Sequence, residues 1–436
     1  MNSKTINIGL FGFGTVGKGL YDVLQKIKPE NVNIVKVCVR NVPKHQAEAP
    51  ELEFTDQADD IFSDPRVNFI VELIDDAEAA YAIVKRALQA QLPVVSGNKK
   101  MLARHINEMI TLQRQHHTAL LYDASACGSI PVIRNLEEYY DNDLLISVKG
   151  ILNGSSNFIL SKIFNEGMNY AQALELAQKL GFAESDPTLD IGGWDSLFKL
   201  IIICIHAFGV YVQPEEIFNF GIGNMNEHDI QFAHEKQRRI KLVGWAEKVD
   251  DDKLILSVMP HLLSKQKYIY SVEDEFNGVV IKGLFYYKQF MFGQGAGGFP
   301  TGSAVLSDIT AQLYDYRYQY KKLDAAHPLK FSNDYFVRIY YRYDSPATLN
   351  LLDFTTIHES YYSDSYKYVV GDVSLSQLHA QAQKLRESDV FIALYPQDEG
   401  FCSQQVGAPF IWRYAYSAIS PPSICKRVRL AVMPPA

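Results

Sequence analysis

The first third of the chain alternates short apolar runs with longer segments in which apolar residues recur every three to four positions. The runs have the length of buried strands, and the longer segments have the spacing of helices that cover a sheet. The predicted strands are residues 5–11, 32–39, 67–74, 93–96 and 119–122, and the predicted helices are residues 18–27, 77–90 and 101–116. This alternation predicts a doubly wound parallel sheet, whose ligands lie at the carboxyl ends of the strands.

A glycine-rich turn joins the first predicted strand to the first predicted helix. Gly12, Gly14 and Gly17 have the spacing in which one glycine makes the turn, one admits a pyrophosphate and one packs helix on strand. Thr15 and Val16 would present the free N–H groups of the helix amino terminus to the phosphates. The turn therefore predicts a dinucleotide site, with a glycine turn that binds nothing as the alternative.

The second predicted strand ends in Arg40, where NAD-preferring sites usually place an acidic residue on the ribose 2′-hydroxyl. Arg40, with Lys44 close behind, can instead neutralise a 2′-phosphate. We therefore expect NADP, with NAD as the second choice. The alternative is a solvated arginine at a strand end.

Candidate groups for proton transfer occur in two places. Lys99 directly follows a predicted strand, so we expect it to point toward the cofactor crevice, with a solvated loop charge as the alternative. Asp195 and Lys199 are one helical turn apart at the start of an apolar helix, where burial and the helix dipole both disfavour an unpartnered ammonium group. Glu184 and Asp190 could converge there on a cationic substrate group. A surface ion pair is the alternative.

Two loops and one histidine complete the candidate chemistry. Residues 123–131 are small and carbonyl-rich, as in loops that bind an alkali or alkaline-earth ion with main-chain oxygens. Asn153, Gly154 and Ser155 end a predicted strand and open a helix, so they are candidate substrate or nicotinamide donors, with helix capping as the alternative. His206 is predicted to be a partnered core histidine.

Composition narrows the class of protein. With 42 Lys+Arg against 50 Asp+Glu the net charge is −8, and no basic cluster suggests nucleic acid as a partner. The longest apolar run, residues 200–210, is shorter than the about 20 residues that span a bilayer, and no signal peptide is evident. Five scattered cysteines suggest neither disulfides nor zinc. We expect a cytoplasmic enzyme of two to three domains with a small-molecule substrate.

Assembled in order, these segments resemble the homoserine dehydrogenase family over about residues 5–320. The motifs are GFGTVG at 12–17, GNKK at 97–100, DASACGSIP at 123–131, GILNGSSNFIL at 150–160, AESDPTLD at 183–190 and GQGAGGFPTGSAVLSDI at 293–309. The resemblance implies NAD(P)-dependent interconversion of L-homoserine and L-aspartate 4-semialdehyde, a step toward threonine and methionine. It also implies a homodimer or higher homo-oligomer.

The resemblance further assigns roles to individual residues. Lys99 and Lys199 match the lysines credited with proton transfer and substrate binding, and we expect a lysine whose pKa is lowered by burial to donate the proton. The family's substrate acids fall on Glu184, Asp190 and Asp195. Its monovalent cation site, such as one for Na⁺, maps to Asp123, Ala126, Gly128 and Ile130. Its nicotinamide-side contacts map near Asn153, Ser155 and Gly295.

One departure stands out. Asp75 and Asp76 occupy positions where the family usually has two glycines, close to the expected pyrophosphate. Two added carboxylates there would weaken dinucleotide binding. A non-catalytic or cofactor-weakened paralogue that acts as a regulatory binding protein is therefore the alternative function.

The carboxyl third predicts strand, helix, strand, helix, strand, which loosely resembles an ACT-type regulatory module. The predicted elements are a strand at 335–343, a helix at 347–356, a strand at 366–370, a helix at 375–387 and a strand at 390–395. The expected domains are a Rossmann domain (1–137, completed by a helix at about 301–322), an α+β catalytic and dimerisation domain (138–300), an ACT-like α+β module (330–396) and an unassigned tail (397–436).

Overall fold

The computed structural model describes residues 4–142, 144–250 and 252–396. Its amino-terminal part alternates strands and helices as predicted, with additional short elements between residues 42 and 62. The strands are β1 (Ile6–Phe11), β2 (Val32–Cys38), β3 (Phe54–Thr55), β4 (Phe69–Glu72), β5 (Val94–Ser96) and β6 (Leu120–Leu121). The helices are α1 (Thr15–Ile27), α2 (Val42–Glu48), α3 (Ala58–Phe62), α4 (Ala77–Gln89), α5 (Lys99–His116), α6 (Ala124–Cys127) and α7 (Val132–Glu138).

These six strands form one parallel sheet in the order β3-β2-β1-β4-β5-β6. The chain reverses direction across the sheet between β1 and β4, where Phe11 pairs with Glu72 at the carboxyl ends. Ligands of doubly wound sheets bind in the crevice outside this switch point. The predicted fold class is confirmed, and the glycine-rich turn after β1 lies beside the loop that follows β4.

A second, mixed sheet carries the middle of the chain. Its strands are β7 (Leu145–Ile151), β8 (Phe218–Asn219), β9 (Arg239–Lys248), β10 (Lys253–Leu263), β11 (Phe276–Gly283) and β12 (Lys288–Gln294). Its helices are α8 (Gly154–Glu166), α9 (Tyr170–Lys179), α10 (Thr188–Ile191), α11 (Trp194–Phe208) and α12 (Glu227–Glu235). Helix α11 packs against both α5 and β9, and it is buried from Asp195 to Phe208. It therefore joins the two parts of the molecule.

Helix α13 (Gly298–Ala311) returns to the first sheet and packs on α1. Glycine permits the close crossing, since a Cβ at Gly19 would lie 2.0 Å from the Gly298 carbonyl oxygen. The helix predicted at about 301–322 is longer than the one observed, which ends at Ala311. After a short 3-10 turn at Gln312–Tyr314 the chain leaves the helical path, because Tyr318 and Tyr320 are buried around His206.

His206 is the partnered core histidine that the sequence predicts. It is buried, its Nδ1 lies 2.6 Å from a Glu137 carboxylate oxygen, and its Nε2 lies 2.7 Å from the Tyr122 hydroxyl. Among the helices of the described ranges, none is long and apolar enough to cross a bilayer.

The carboxyl-terminal part, which we call the C-terminal module, extends the second sheet. Its elements are β13 (Lys330–Phe331), β14 (Phe336–Arg342), α14 (Pro346–Leu349), β15 (Thr356–Tyr362), β16 (Lys367–Ser374), α15 (Leu375–Ala380), α16 (Ala382–Glu387) and β17 (Phe391–Leu394). The four longer strands are ordered β17-β14-β16-β15, and β17 pairs with β10 in parallel. The similarity to an ACT module stays a prediction, and the tail at 397–436 lies outside the described residues.

Two sequence expectations for this module are wrong in detail. The helix expected at 347–356 ends at Leu349, and Thr356–Tyr362 is a strand. This strand is the exposed edge of the sheet, so it shows no alternation of buried and polar positions. The helix expected at 375–387 is two helices separated at Gln381.

Candidate active site

Two lysines from different parts of the fold meet on one carboxylate. Lys99 Nζ lies 2.9 Å from Asp195 Oδ1, and Lys199 Nζ lies 2.8 Å from Asp195 Oδ2. Lys99 begins α5 in the first domain, whereas Asp195 and Lys199 are one turn apart on α11. The packing of α5 against α11 brings them together. We call Lys99, Asp190, Asp195 and Lys199 the acid–lysine cluster.

The two lysines differ in their access to solvent. The Lys99 side chain is 43% exposed and the Lys199 side chain is 8% exposed. Lys199 Nζ donates two of its three N–H groups within the protein, one to Asp195 and one to the Leu152 carbonyl oxygen at 2.7 Å. The cluster thus has one partly exposed ammonium group, that of Lys99, and one buried ammonium group, that of Lys199.

Opposing electrostatic effects set the charges of the cluster. Burial acts to raise the pKa of Asp195, but the ammonium groups of Lys199 and Lys99 outweigh it and hold that pKa well below its usual range. Asp195 in turn raises the pKa of Lys99. The expectation of a lysine whose pKa is lowered by burial is therefore wrong for Lys99, because the adjacent carboxylate stabilises its charged form.

Asn153 joins the two aspartates. Its Nδ2 donates to Asp190 Oδ1 at 2.7 Å and to Asp195 Oδ2 at 2.9 Å, while its Oδ1 accepts from the Ser156 N–H and caps α8. The capping alternative holds for this residue, and its contact with the substrate or the nicotinamide stays a prediction. Burial, followed by the charge of Asp195, raises the pKa of Asp190. Because its charged form is destabilised by these effects, the half-buried Asp190 carboxylate would be stabilised by a cationic ligand.

The remaining predicted substrate residues lie farther from Asp195 and the two lysines in the hydrogen-bond network. Glu184 is exposed, and within the described ranges its carboxylate makes no hydrogen bond or ion pair. The Ser155 hydroxyl donates to the Phe182 carbonyl oxygen. Gly154 lies against the chain at Glu275, where a Cβ would come within 2.5 Å of a carbonyl oxygen. Their substrate contacts stay predictions.

Sequence reasoning missed Asn277, a fully buried residue of β11. Its Nδ2 donates to the same Leu152 carbonyl oxygen that accepts from Lys199, at 3.1 Å. Gly295 passes directly over it, since a Cβ there would lie 2.1 Å from the Asn277 amide. The one available signal was a single amide side chain inside an apolar strand, which is too common to identify a site.

The crevice at the switch point is formed by main chain. Gly12 has φ +93°, and a Cβ there would lie 2.6 Å from the Leu73 carbonyl oxygen; one at Gly17 would lie 2.3 Å from the Gly12 carbonyl oxygen. A Cβ at Gly14 would meet open space instead, and no side chain of the described residues caps α1, which begins at Thr15. We call Gly12–Gly17 with the 73–76 loop the glycine crevice. Its free helix terminus suits a pyrophosphate.

Further predicted cofactor residues surround this crevice. Thr15 is exposed and Val16 half-buried in the first turn of α1. Arg40 and Lys44 are both exposed beyond the end of β2. The main-chain N–H of Lys44 donates to Asn41 Oδ1, which caps α2. Asn98 fixes the opposite side, since its Nδ2 donates to the Ile74 carbonyl oxygen and its Oδ1 caps α5 next to Lys99. The crevice therefore adjoins the acid–lysine cluster.

Known proteins resemble the chain along both parts of this site. The model of the homoserine dehydrogenase NAD-binding domain matches residues 12–123, and the homoserine dehydrogenase model matches residues 131–310. The homoserine dehydrogenase of Lactococcus lactis is 35% identical over 70% of this chain and 73% of its own. The chain belongs to the homoserine dehydrogenase family.

Solved structures of this family agree with the fold. A homoserine dehydrogenase from Thiobacillus denitrificans superposes with a TM-score of 0.77 at 30% identity, covering 90% of this chain and 99% of its own. A hyperthermophilic archaeal homoserine dehydrogenase mutant in complex with NADPH superposes with a TM-score of 0.63 at 25% identity, covering 72% and 99%.

Of the two residues at which the sequence departs from the glycines expected from the resemblance, Asp76 has a local structural role. Both residues are exposed at the crevice, and Asp76 accepts from the Ala79 N–H and caps α4. Glu72 lies just below them, fully buried, with a pKa that burial raises to about 7. Ser96 and the Ile74 N–H bond its carboxylate. Three acidic residues thus adjoin the expected pyrophosphate position.

The predicted cation residues share one buried turn around α6. Asp123, Ala126, Gly128 and Ile130 are all buried, and Asp123 Oδ1 accepts from the Ile133 N–H at 2.8 Å, next to the amino terminus of α7. Gly128, at φ +55°, packs against Gly295, so the turn approaches Asn277. In the described ranges no group of three or more His, Cys, Asp or Glu residues suits a metal ion. Cation binding by main-chain oxygens stays a prediction.

Proposed function

We propose that this chain is a homoserine dehydrogenase that interconverts L-homoserine and L-aspartate 4-semialdehyde with NADP or NAD, on the way to threonine and methionine. Family membership supports the reaction class. The observation that carries the proposal is the meeting of Lys99, Asp195 and Lys199 where the glycine crevice adjoins α11. Ammonium groups beside a nucleotide crevice suit reduction of a carbonyl, which needs a proton at the oxygen.

The acid–lysine cluster supplies the chemistry that the cofactor does not. When bound, the nicotinamide nucleotide supplies the hydride in the reductive direction. The aldehyde oxygen then needs one proton, and Lys199 has one N–H donor left after its bonds to Asp195 and Leu152. Lys99, charged and more open to solvent, stabilises the developing oxyanion and exchanges protons with solvent.

The acids select the substrate. Asp190 is half-buried, and among the described residues its carboxylate forms no ion pair, so the ammonium group of the amino acid can pair with it. An aldehyde without an amino group would leave that carboxylate without a counterion. Specificity for an α-amino substrate follows from this unmet charge.

The finer features of the proposal come partly from the residues after β2 and partly from the resemblance. Arg40 and Lys44 favour the 2′-phosphate of NADP, and the turn of Asp123, Ala126, Gly128 and Ile130 takes a monovalent cation. The protein assembles as a homodimer or larger homo-oligomer, and its C-terminal module is of the ACT type. Exposed positions of Arg40 and Lys44 at the end of β2 support the first of these.

The test is NADPH oxidation assayed with L-aspartate 4-semialdehyde and with succinic semialdehyde, which lacks the amino group. We expect turnover with the first and, on the loss of one charge-assisted contact, kcat/KM lower by about a hundredfold or more with the second. Equal turnover of both would indicate a different dehydrogenase. No turnover of either, with NADPH still bound, would indicate a binding protein.

A further inference from the structure

Helix α11 is held at its start by a segment that lies against the C-terminal module. The helix begins after Gly193, whose φ is +83°, a left-handed backbone conformation that glycine adopts readily and other residues rarely do. Asn219 Nδ2 donates to the Gly192 carbonyl oxygen at 3.0 Å, and the Ile222 N–H donates to the Ile191 carbonyl oxygen at 2.7 Å. Residues 219–222 therefore shape the turn that presents Asp195.

Residues 219–222 and the turn before α11 are packed too closely to admit even one added methyl group. A Cβ at Gly221 would lie 1.9 Å from the Ile191 carbonyl oxygen, and one at Gly193 would lie 2.6 Å from Asn219 Oδ1. Asn219 itself is 1% exposed. A displacement of residues 219–222 must therefore be passed on to the turn.

The C-terminal module contacts residues 219–224 on the side opposite the turn. Arg386 of α16 donates from Nη1 to the Asn219 carbonyl oxygen at 2.8 Å, and Phe391 of β17 packs edge-on against Phe220. Asn224, just beyond the segment, donates from Nδ2 to the Ser388 carbonyl oxygen at 2.8 Å. Both faces of residues 219–224 are thus occupied, one by the candidate active site and one by the module.

Arg386 also touches the turn directly. Its guanidinium lies 5.6 Å from the centre of the Trp194 ring, and Trp194 is the residue before Asp195. One side chain of the module therefore contacts both the support and the first residue of α11. Cation–π and charge-assisted contacts of this kind restrain both partners.

We propose that Arg386 is a positioning residue through which the C-terminal module sets the placement of Asp195 and its two lysines. The proposal rests on the proposed function, since it assigns Arg386 to the same site. It gives the module a role in catalysis itself, and any ligand that shifts α16 would act on turnover by this route.

The experiment compares Arg386→Met with Arg386→Lys and with Lys384→Met, which removes an exposed charge from the same helix. Because small misplacements of reacting groups cost rate steeply, we expect Arg386→Met to lower kcat about tenfold or more. The NADPH Kd should stay within about twofold, since the glycine crevice is untouched. Arg386→Lys, which can still donate to Asn219, should recover most of the loss, and Lys384→Met should match the parent protein.

A spectroscopic readout separates this proposal from the proposed function. The chain has three tryptophans, so Trp194 emission is obtained as the difference between each protein and its Trp194→Phe form. We expect that emission to shift in Arg386→Met and not in Lys384→Met, with circular dichroism unchanged. If Arg386→Met matched Lys384→Met in both kcat and Trp194 emission, the proposal would fail. Absence of turnover in the parent protein would refute the proposed function. The Trp194 emission would then still show whether Arg386 restrains the first residue of α11.

Discussion

The acid–lysine cluster and the glycine crevice adjoin each other but are built from opposite materials. In the cluster, side chains carry the charges, and Asp195 is buried between two ammonium groups. In the crevice, the main chain forms the walls, and the nearby carboxylate of Glu72 accepts from Ser96 and the Ile74 N–H, with no lysine or arginine paired to it in the described ranges. The cluster is therefore held together by ion pairs between side chains, whereas the shape of the crevice depends on glycines that lack side chains.

Two buried carboxylates, one in each region, show the consequence for the pKa. Asp195 and Glu72 are both buried carboxylates, yet the pKa of Asp195 is held well below its usual range and that of Glu72 is raised to about 7. Two ammonium groups account for the first, and burial with few compensating donors accounts for the second. Removing one partner should therefore damage the cluster far more than a comparable change in the crevice.

The largest effect is expected from Lys199→Ala. It removes the N–H available to the substrate oxygen and leaves Asp195 with one counterion, so kcat should fall by about a thousandfold or more. Steady-state NADPH oxidation measures this, with the exposed Lys179→Ala at the end of α9 as the matched control. A kcat like that of the control would show that Lys199 is not the proton donor.

Glu72→Gln tests the other carboxylate through stability. Protonated Glu72 is favoured in the folded state, so its contribution is present below about pH 4.5 and is lost as pH rises through about 7. Over that window the parent protein should lose about 3 kcal/mol of unfolding free energy relative to Glu72→Gln. Denaturant unfolding of both proteins at pH 4.5, 6 and 8 measures the difference, and a constant difference would contradict the assignment.

Two alanine substitutions separate folding from ligand approach in the crevice. Gly17→Ala places a Cβ 2.3 Å from the Gly12 carbonyl oxygen and should cost about 1–3 kcal/mol of stability. Gly14→Ala meets open space and should fold normally, but it should weaken NADPH binding by about tenfold, because its methyl group occupies the approach of the pyrophosphate. Thermal unfolding and NADPH titration measure the two effects, and the reverse pattern would place the pyrophosphate elsewhere.

The smallest effect is expected from Asp75→Gly with Asp76→Gly. Removing two exposed carboxylates from the crevice should tighten NADPH binding by about two- to fivefold at low salt, and less at high salt. Loss of the Asp76 cap on α4 should cost only a few tenths of a kcal/mol, since glycine is tolerated there. An unchanged or weaker Kd at low salt would show that these acids do not face the nucleotide.

Much of the crevice could be predicted because it depends on neighbours in the chain. The strand, the three glycines and the following helix are consecutive, so their spacing carries the geometry of the turn. Lys99 and the pairing of Asp195 with Lys199 were also predictable, the latter because an ammonium in an apolar helix needs a carboxylate one turn away. Strand β15 was not, since an exposed edge strand has no buried face to mark it.

The amino-acid order alone determined the parallel sheet, the family and the local pairs of the site, because these follow from short-range periodicity and contiguous motifs. Packing decided the rest: that Lys99 and Lys199 share one carboxylate, that the pKa of Lys99 is raised and not lowered, that Asn277 supports Lys199 through Leu152, and that Arg386 reaches Trp194. Each depends on residues far apart in the chain whose distance is set by the docking of helices and sheets, and no pattern of neighbouring residues records that distance.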